Sequence, residues 1–171
     1  SGVPIWIGAL VEPGIARAGR IADGFFVTEV TPEEFGAQVA IARTAAKEAG
    51  RDPESIAMGV HLPTLVTQES WESVRDAVRY PGWKYDDMYA QRAYAGPLGL
   101  PGPWGDGEEA RLRETSLVGT PEQVAARIAE YATAAGGDIT FVARSYLPGV
   151  GPEGQRRALE GLARVRELLP G

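Results

Sequence analysis

Gly24-Phe25-Phe26-Val27-Thr28-Glu29-Val30-Thr31-Pro32-Glu33-Glu34 is the stretch that decides the fold. Its first part is a short apolar run rich in aromatic and β-branched side chains, the composition of a strand. Its second part is a helix start: threonine can cap exposed N–H groups, proline at the first helical position has no N–H to lose, and the two carboxylates sit at the positive end of the helix dipole. A strand that runs directly into a capped helix is the repeating unit of α/β folds.

The same unit recurs on both sides. Upstream, Pro4-Ile5-Trp6-Ile7-Gly8-Ala9-Leu10 is an apolar run without polar alternation, the pattern of a strand buried on both faces of a parallel sheet. Glu12-Pro13 then opens a helix with Ile15, Ala18, Gly19 and Ala22 on one face and Arg17 and Arg20 on the other. Downstream, Phe35, Val39, Ala42, Ala45 and Ala46 stripe a helix that reaches Gly50, and Asp52-Pro53 marks its exit. Residues 56–66 form a third strand in which Pro63 is expected to confine regular pairing to the earlier part. A helix over about Ser70 to Val78 leads into an aromatic-rich insertion, about 79–115, with Trp83, Tyr85 and Tyr89 among many Gly and Pro. Thr120 and Gln123 form a capping box for a helix ending at Gly136-Gly137. Asp138–Arg144 is the fourth strand and residues 152–169 the last helix. The order β-α-β-α-β-(insertion)-α-β-α demands parallel strands joined by helical crossovers, so the expected fold is α/β with four parallel strands.

Composition narrows the function. The chain has 171 residues, 44% of them hydrophobic, enough for one core, and is expected to form a single domain. A net charge of -6, with 17 basic residues scattered among 23 acidic ones, argues against nucleic-acid binding. Cysteine is absent and His61 is the only histidine, which excludes disulfides, thiolate metal sites and histidine clusters; no metal is expected. Neither a transmembrane run nor a signal-peptide pattern is present, so the expectation is a soluble, cytoplasmic protein without a membrane partner. The glycines form no G-x-G-x-x-G run, so a Rossmann dinucleotide site is not supported.

Five motifs in order carry a family resemblance: Pro4-Ile5-Trp6-Ile7-Gly8 with Ala22-Asp23-Gly24-Phe25-Phe26; Thr31-Pro32-Glu33-Glu34; Ala49-Gly50-Arg51-Asp52-Pro53; Trp83-Lys84-Tyr85-Asp86-Asp87-Met88; and Val118-Gly119-Thr120-Pro121-Glu122-Gln123-Val124. Together they resemble the later half of luciferase-like monooxygenases, over nearly the whole chain. The resemblance implies the C-terminal half of a (β/α)8 TIM-type barrel, FMN or coenzyme F420 as cofactor, and oxidation, reduction or monooxygenation of a small organic substrate. A complete barrel takes roughly 250 residues, so the first four β/α units are expected to be missing and the isolated chain to be inactive. The loop Gly8-Ala9-Leu10-Val11-Glu12 departs from the run of small residues usual in the family, and a carboxylate there repels a cofactor phosphate.

Such barrels place chemistry at the C-terminal ends of their strands. The resemblance therefore implies Gly8, Ala9, Thr28 and Arg144 as cofactor-binding, with Trp83, Tyr85 and Tyr146 as a substrate-facing lid. Arg144 could hold a phosphate or carboxylate bidentately, or could make a salt bridge at the rim. His61 could serve as a general base, but mid-strand beside Gly59 it reads more readily as a hydrogen-bonded packing residue. Glu12 and Glu29 as a catalytic carboxylate pair is the weaker reading. The competing functional reading is a non-catalytic half-barrel module, because four parallel strands leave two open edges that a homodimer or a missing N-terminal half would cover.

Overall fold

The computed structural model describes residues 2–91, 103–145, 147 and 150–170, with residues 82–91 described in their backbone only. The elements are β1 (Trp6–Gly8), α1 (Glu12–Ile21), β2 (Gly24–Thr28), α2 (Pro32–Glu48), β3 (Ala57–Val66), α3 (Trp71–Gln91), α4 (Glu108–Glu114), β4 (Leu117–Gly119), α5 (Pro121–Ala135), β5 (Thr140–Arg144) and α6 (Gly151–Leu168). Two compact units result: Ser1–Leu62 with Ala126–Ala143, and Pro63–Ala125 with Arg144–Gly171.

In the first unit β1 pairs parallel with β2, and β2 pairs parallel with the first half of β3. β5 also pairs with β3. Asp23 ties the strand starts together: its carboxylate accepts from Ile5 N–H (2.7 Å) and its carbonyl accepts from Ala57 N–H (2.9 Å). Helix α1 packs on β1 and β2 and lies against α2. Gly19 is what permits the helix approach, because a Cβ there would overlap the Ala42 carbonyl oxygen. Ile15 and Ala18 are buried on the same face, as the sequence stripe requires. Two arginines finish the helices: Arg51 donates to the carbonyls of Gly19 (2.6 Å) and Ala22 (2.7 Å) at the end of α1, and Arg43 to Ala135 (2.6 Å) at the end of α5. Each guanidinium satisfies orphan carbonyls at the negative end of a helix dipole.

In the second unit the latter half of β3 pairs parallel with β4, Thr64 level with Leu117. Leu65, Trp71, Val74, Val78, Leu147 and Ala158 form its apolar core. The segment before and along α4 is clamped to α3. Arg79, its side chain 8% exposed, makes two bonds to Glu108 (2.5 and 2.9 Å), reaches the Pro103 carbonyl, and lies over the Trp104 ring at 4.4 Å. Glu109 accepts from Arg75 and from the Trp71 indole, each at 2.8 Å.

Four expectations need correction. β1 is shorter than predicted and is not buried on both faces: Ile5 is 63% and Trp6 38% exposed, because no strand among the described residues pairs with its outer side. Pro63 does not end β3. The ladder to β2 stops at His61 and the ladder to β4 starts at Thr64, so the residue lacking an N–H falls in the gap between them. Helix α3 does not stop at Val78 but continues through Pro81 to Gln91, since one missing amide removes one intrahelical bond without unwinding the turns on either side. The strands number five rather than four, β4 being a three-residue strand just after the stretch read as insertion.

Two predictions follow from this packing. Gly19→Ala should lower unfolding free energy by about 2–3 kcal/mol in a urea titration, as backbone cannot yield the way a side chain can. The second concerns acid. Burial pulls the Glu108 carboxyl up, but the Arg79 hydrogen bond, the Gly105 N–H and the Arg79 charge hold it below the ordinary value of 4.5. The Arg75 and Trp71 hydrogen bonds lower Glu109 likewise. A depressed carboxylate stabilises fully above its unfolded pKa and loses that contribution as pH falls through the folded one. Amide exchange in residues 103–115 should therefore accelerate below about pH 4.5, ahead of exchange in α2.

Candidate functional site

Alternate strand residues share a face, so the parallel register aligns Trp6, Gly24 and Ala57 in one row, Gly8, Phe26 and Gly59 in the next, and Thr28 with His61 beyond. The opposite face holds Phe25, Val27, Met58 and Val60, all buried. The first face is not sealed: Phe26, Thr28 and His61 are only half-buried.

Glycines decide what that face presents. The Trp6 indole lies across Gly24, where any Cβ would overlap it, and a Cβ on Gly59 would come within 2.7 Å of the Phe26 ring and 2.8 Å of the indole. Phe26 meets Trp6 edge to face at 6.3 Å and stacks on the His61 imidazole at 5.9 Å with an interplanar angle of 23°. Gly8 differs. Its missing Cβ would meet only the Phe26 carbonyl at 3.7 Å, so bare backbone at the end of β1 faces open space beside an aromatic step.

The end of β2 is held by several locks. Thr28 Oγ1 donates to the His61 carbonyl at 2.7 Å. The buried Tyr131 hydroxyl donates to the Val30 carbonyl at 2.6 Å. Thr31 and Glu34 close a reciprocal capping box. Between these locks Glu29 sits at φ 58°, the sole non-glycine residue with positive φ among the described residues. A left-handed side-chain-bearing residue costs of order 1–2 kcal/mol and survives only where neighbours fix it.

The structure brings Gly8, Ala9 and Thr28 of the expected cofactor set onto adjacent strand ends, with Ala9 N–H donating to the Phe26 carbonyl at 3.2 Å. Arg144 is the last residue of β5 and half-buried. Trp83 and Tyr85 lie on the α3 backbone, but their side chains fall outside the described residues, as does Tyr146 altogether. Glu12 opens α1, one connection away from Glu29. Sequence reasoning missed Trp6 and Phe26 as members of the face. The signal was Gly24 and Gly59, small residues at alternate positions, which becomes readable only once the strand register is known.

Anion seats are a separate matter. Helices α1, α2, α5 and α6 all carry proline at the first or second position and a glutamate in the first turn: Glu12, Glu33, Glu122 and Glu153. Their dipoles are thus met by the chain's own carboxylates. Glu122 shows it directly, its carboxyl lowered by a backbone hydrogen bond and by Thr120. No group of acidic residues or histidine among the described residues could hold a metal ion. In the second unit a cavity of about 1290 Å³ beside the end of β3 is lined by Arg75, Arg79 and Arg157, each already paired with a glutamate.

The family model for luciferase-like monooxygenases matches residues 1–138. The chain belongs to the luciferase-like monooxygenase family. Solved structures similar to this luciferase-like chain include the coenzyme F420 dependent tetrahydromethanopterin reductase of Methanopyrus kandleri (20% identity, TM-score 0.65, covering 98% of this chain and 51% of that one). An F420-dependent secondary alcohol dehydrogenase, in complex with an F420-acetone adduct, matches at 17% identity and TM-score 0.69, over 97% of this chain and 50% of that one. A long-chain alkane monooxygenase matches at 20% identity and TM-score 0.62, over 95% and 40%. At such identities the likeness shows the fold alone. This luciferase-like chain spans about half the length of these neighbours or less. No helix among the described residues is long and apolar enough to cross a membrane.

Replacing Glu29 by glycine should raise stability by about 0.5–1 kcal/mol, the relief of left-handed strain less the added chain entropy. Thermal unfolding of the variant beside the parent measures it.

Proposed function

We propose that the chain is one wall of a luciferase-like oxidoreductase, the C-terminal half of a TIM-type barrel, acting on a small organic molecule with FMN or coenzyme F420. The single observation that carries this reading is the unsealed face of β1, β2 and β3, where the bare Gly8 backbone adjoins the Phe26–His61 stack. A planar tricyclic ring fits such a surface: glycine lets it approach the main chain and the aromatic step offers a parallel contact. The bound cofactor would supply hydride or oxygen-activating chemistry that no side chain here can provide.

The chain's own groups have narrower tasks. Gly8 and Ala9 would set the ring's distance from the sheet, and Thr28 would orient polar atoms at its edge. His61, whose imidazole can both donate and accept a proton, would hold or release one at the strand ends. The cofactor's anionic tail does not fit the start of α1, where Pro13 lacks an N–H and Glu12 repels it. Arg144, the one basic residue at a strand C-terminal end among the described residues, remains a proposed phosphate- or carboxylate-binding residue. Trp83, Tyr85 and Tyr146 remain the proposed substrate-facing residues.

FMN and F420 should be titrated into the chain alone and into the chain co-refolded with the N-terminal half of a family barrel, following cofactor fluorescence. Saturable quenching by one of them is expected in the completed barrel, with Gly8→Val weakening it by about tenfold or more. If neither cofactor binds in either format, the oxidoreductase reading fails.

A further inference from the structure

One wall of the cavity in the second unit is a short flap, residues 103–108, whose Trp104 lines the cavity. Two glycines, Gly105 and Gly107, leave the flap free to swing, Gly107 turning left-handed at φ 74°. Helix α4, which continues it, buries no residue, and Leu112 is the α4 side chain that packs partly on the apolar core. Charge holds the flap instead. Arg79 grips both of its ends, the Pro103 carbonyl at 3.1 Å and the Glu108 carboxylate at 2.5 and 2.9 Å. The Trp104 ring between them lies under Arg79 at 4.4 Å and Arg75 at 5.6 Å. Arg75 takes both oxygens of the adjoining Glu109 through one nitrogen, at 2.8 and 2.9 Å. Arg157 completes the basic lining, and its contact with Glu153, at 3.6 Å, is longer than a hydrogen bond. The two acids of the lining, Glu69 and Asp76, are exposed, whereas Arg79 is buried.

We propose that this cavity binds an organic anion and that the flap is its built-in competitor, Glu108 and Glu109 sitting on guanidiniums that a ligand's carboxylate or phosphate would take. A planar guanidinium presents the same fork of donors to a carboxylate and to a phosphate. Arg79 cannot be stripped of its partner at low cost, because a buried charge left alone is strongly destabilising. The flap therefore lifts as another anion arrives, one charge-assisted pair replacing another while the glycines absorb the movement. Leu65, Val74 and Val150 offer apolar surface to the rest of the ligand, and about 1290 Å³ is ample for a small organic molecule. Binding is self-limiting: the ligand is held only by chains whose flap is open, so its apparent affinity falls with the fraction that is open.

Inorganic phosphate and phenyl phosphate, titrated into the purified chain at constant ionic strength with chloride as the control, test this. Hydrogen exchange read by mass spectrometry follows the flap. Both phosphates should speed exchange in residues 103–109 where chloride does not, and phenyl phosphate should bind the tighter of the two through its apolar ring. The double variant Glu108→Gln, Glu109→Gln removes the competing charges and should bind both phosphates about tenfold more tightly or better. Adding Arg79→Met should abolish that gain with far-UV circular dichroism unchanged; Arg75→Gln, at a half-buried position, supplies the same comparison if Arg79→Met does not fold. Failure of the double variant to bind either phosphate overturns the proposal. So does equal affinity of parent and double variant, phosphate binding that leaves exchange in residues 103–109 unchanged, or a preference for inorganic over phenyl phosphate.

Discussion

Ten residues of extended backbone, Ala57–Val66, carry the hydrogen-bonded ladders on which the other strands depend. β2, β4 and β5 all pair with this one strand. Its sequence meets the demand by keeping Met58, Val60, Leu62, Thr64, Leu65 and Val66 buried and by placing its only proline where neither the β2 nor the β4 register needs an amide. A proline two positions earlier, at His61, would sit within the β2 register; two positions later, at Leu65, within that to β4. The strand thus changes partners at the single residue that cannot serve either.

What the sequence made legible were the features governed by local chemistry. The helix starts at Thr31 and Thr120 were readable because a capping box needs only residues three apart, and both boxes are present. The Ile15, Ala18 and Gly19 stripe was readable because helical periodicity is local too. What escaped depended on distant partners. The apolar run at β1 looks the same whether a strand lies on one side of it or on both, so its exposure could not be read. Pro81 and Pro63 look like breakers, yet each is absorbed by the elements around it.

The candidate site divides along the same line. Gly8, Ala9 and Thr28 were reachable from the rule that strand ends host chemistry, and they do lie on neighbouring strand ends. The Trp6–Phe26–His61 ladder was not, because three residues separated by 20 and 35 positions become neighbours only through a register that no single segment encodes. Belonging to the luciferase-like family fixes the α/β fold more firmly than the chemistry, since one fold supports many reactions.

The glutamates of the first unit's connections have a kinetic side. Glu12, Glu29, Glu33 and Glu34 crowd the β1–α1 and β2–α2 turns of a chain whose net charge is -6. Their summed field slows the diffusional approach of any anion to those strand ends. Added salt screens that field over roughly 10 Å at 0.1 M, so the approach of an anion to those strand ends is hindered less as ionic strength rises.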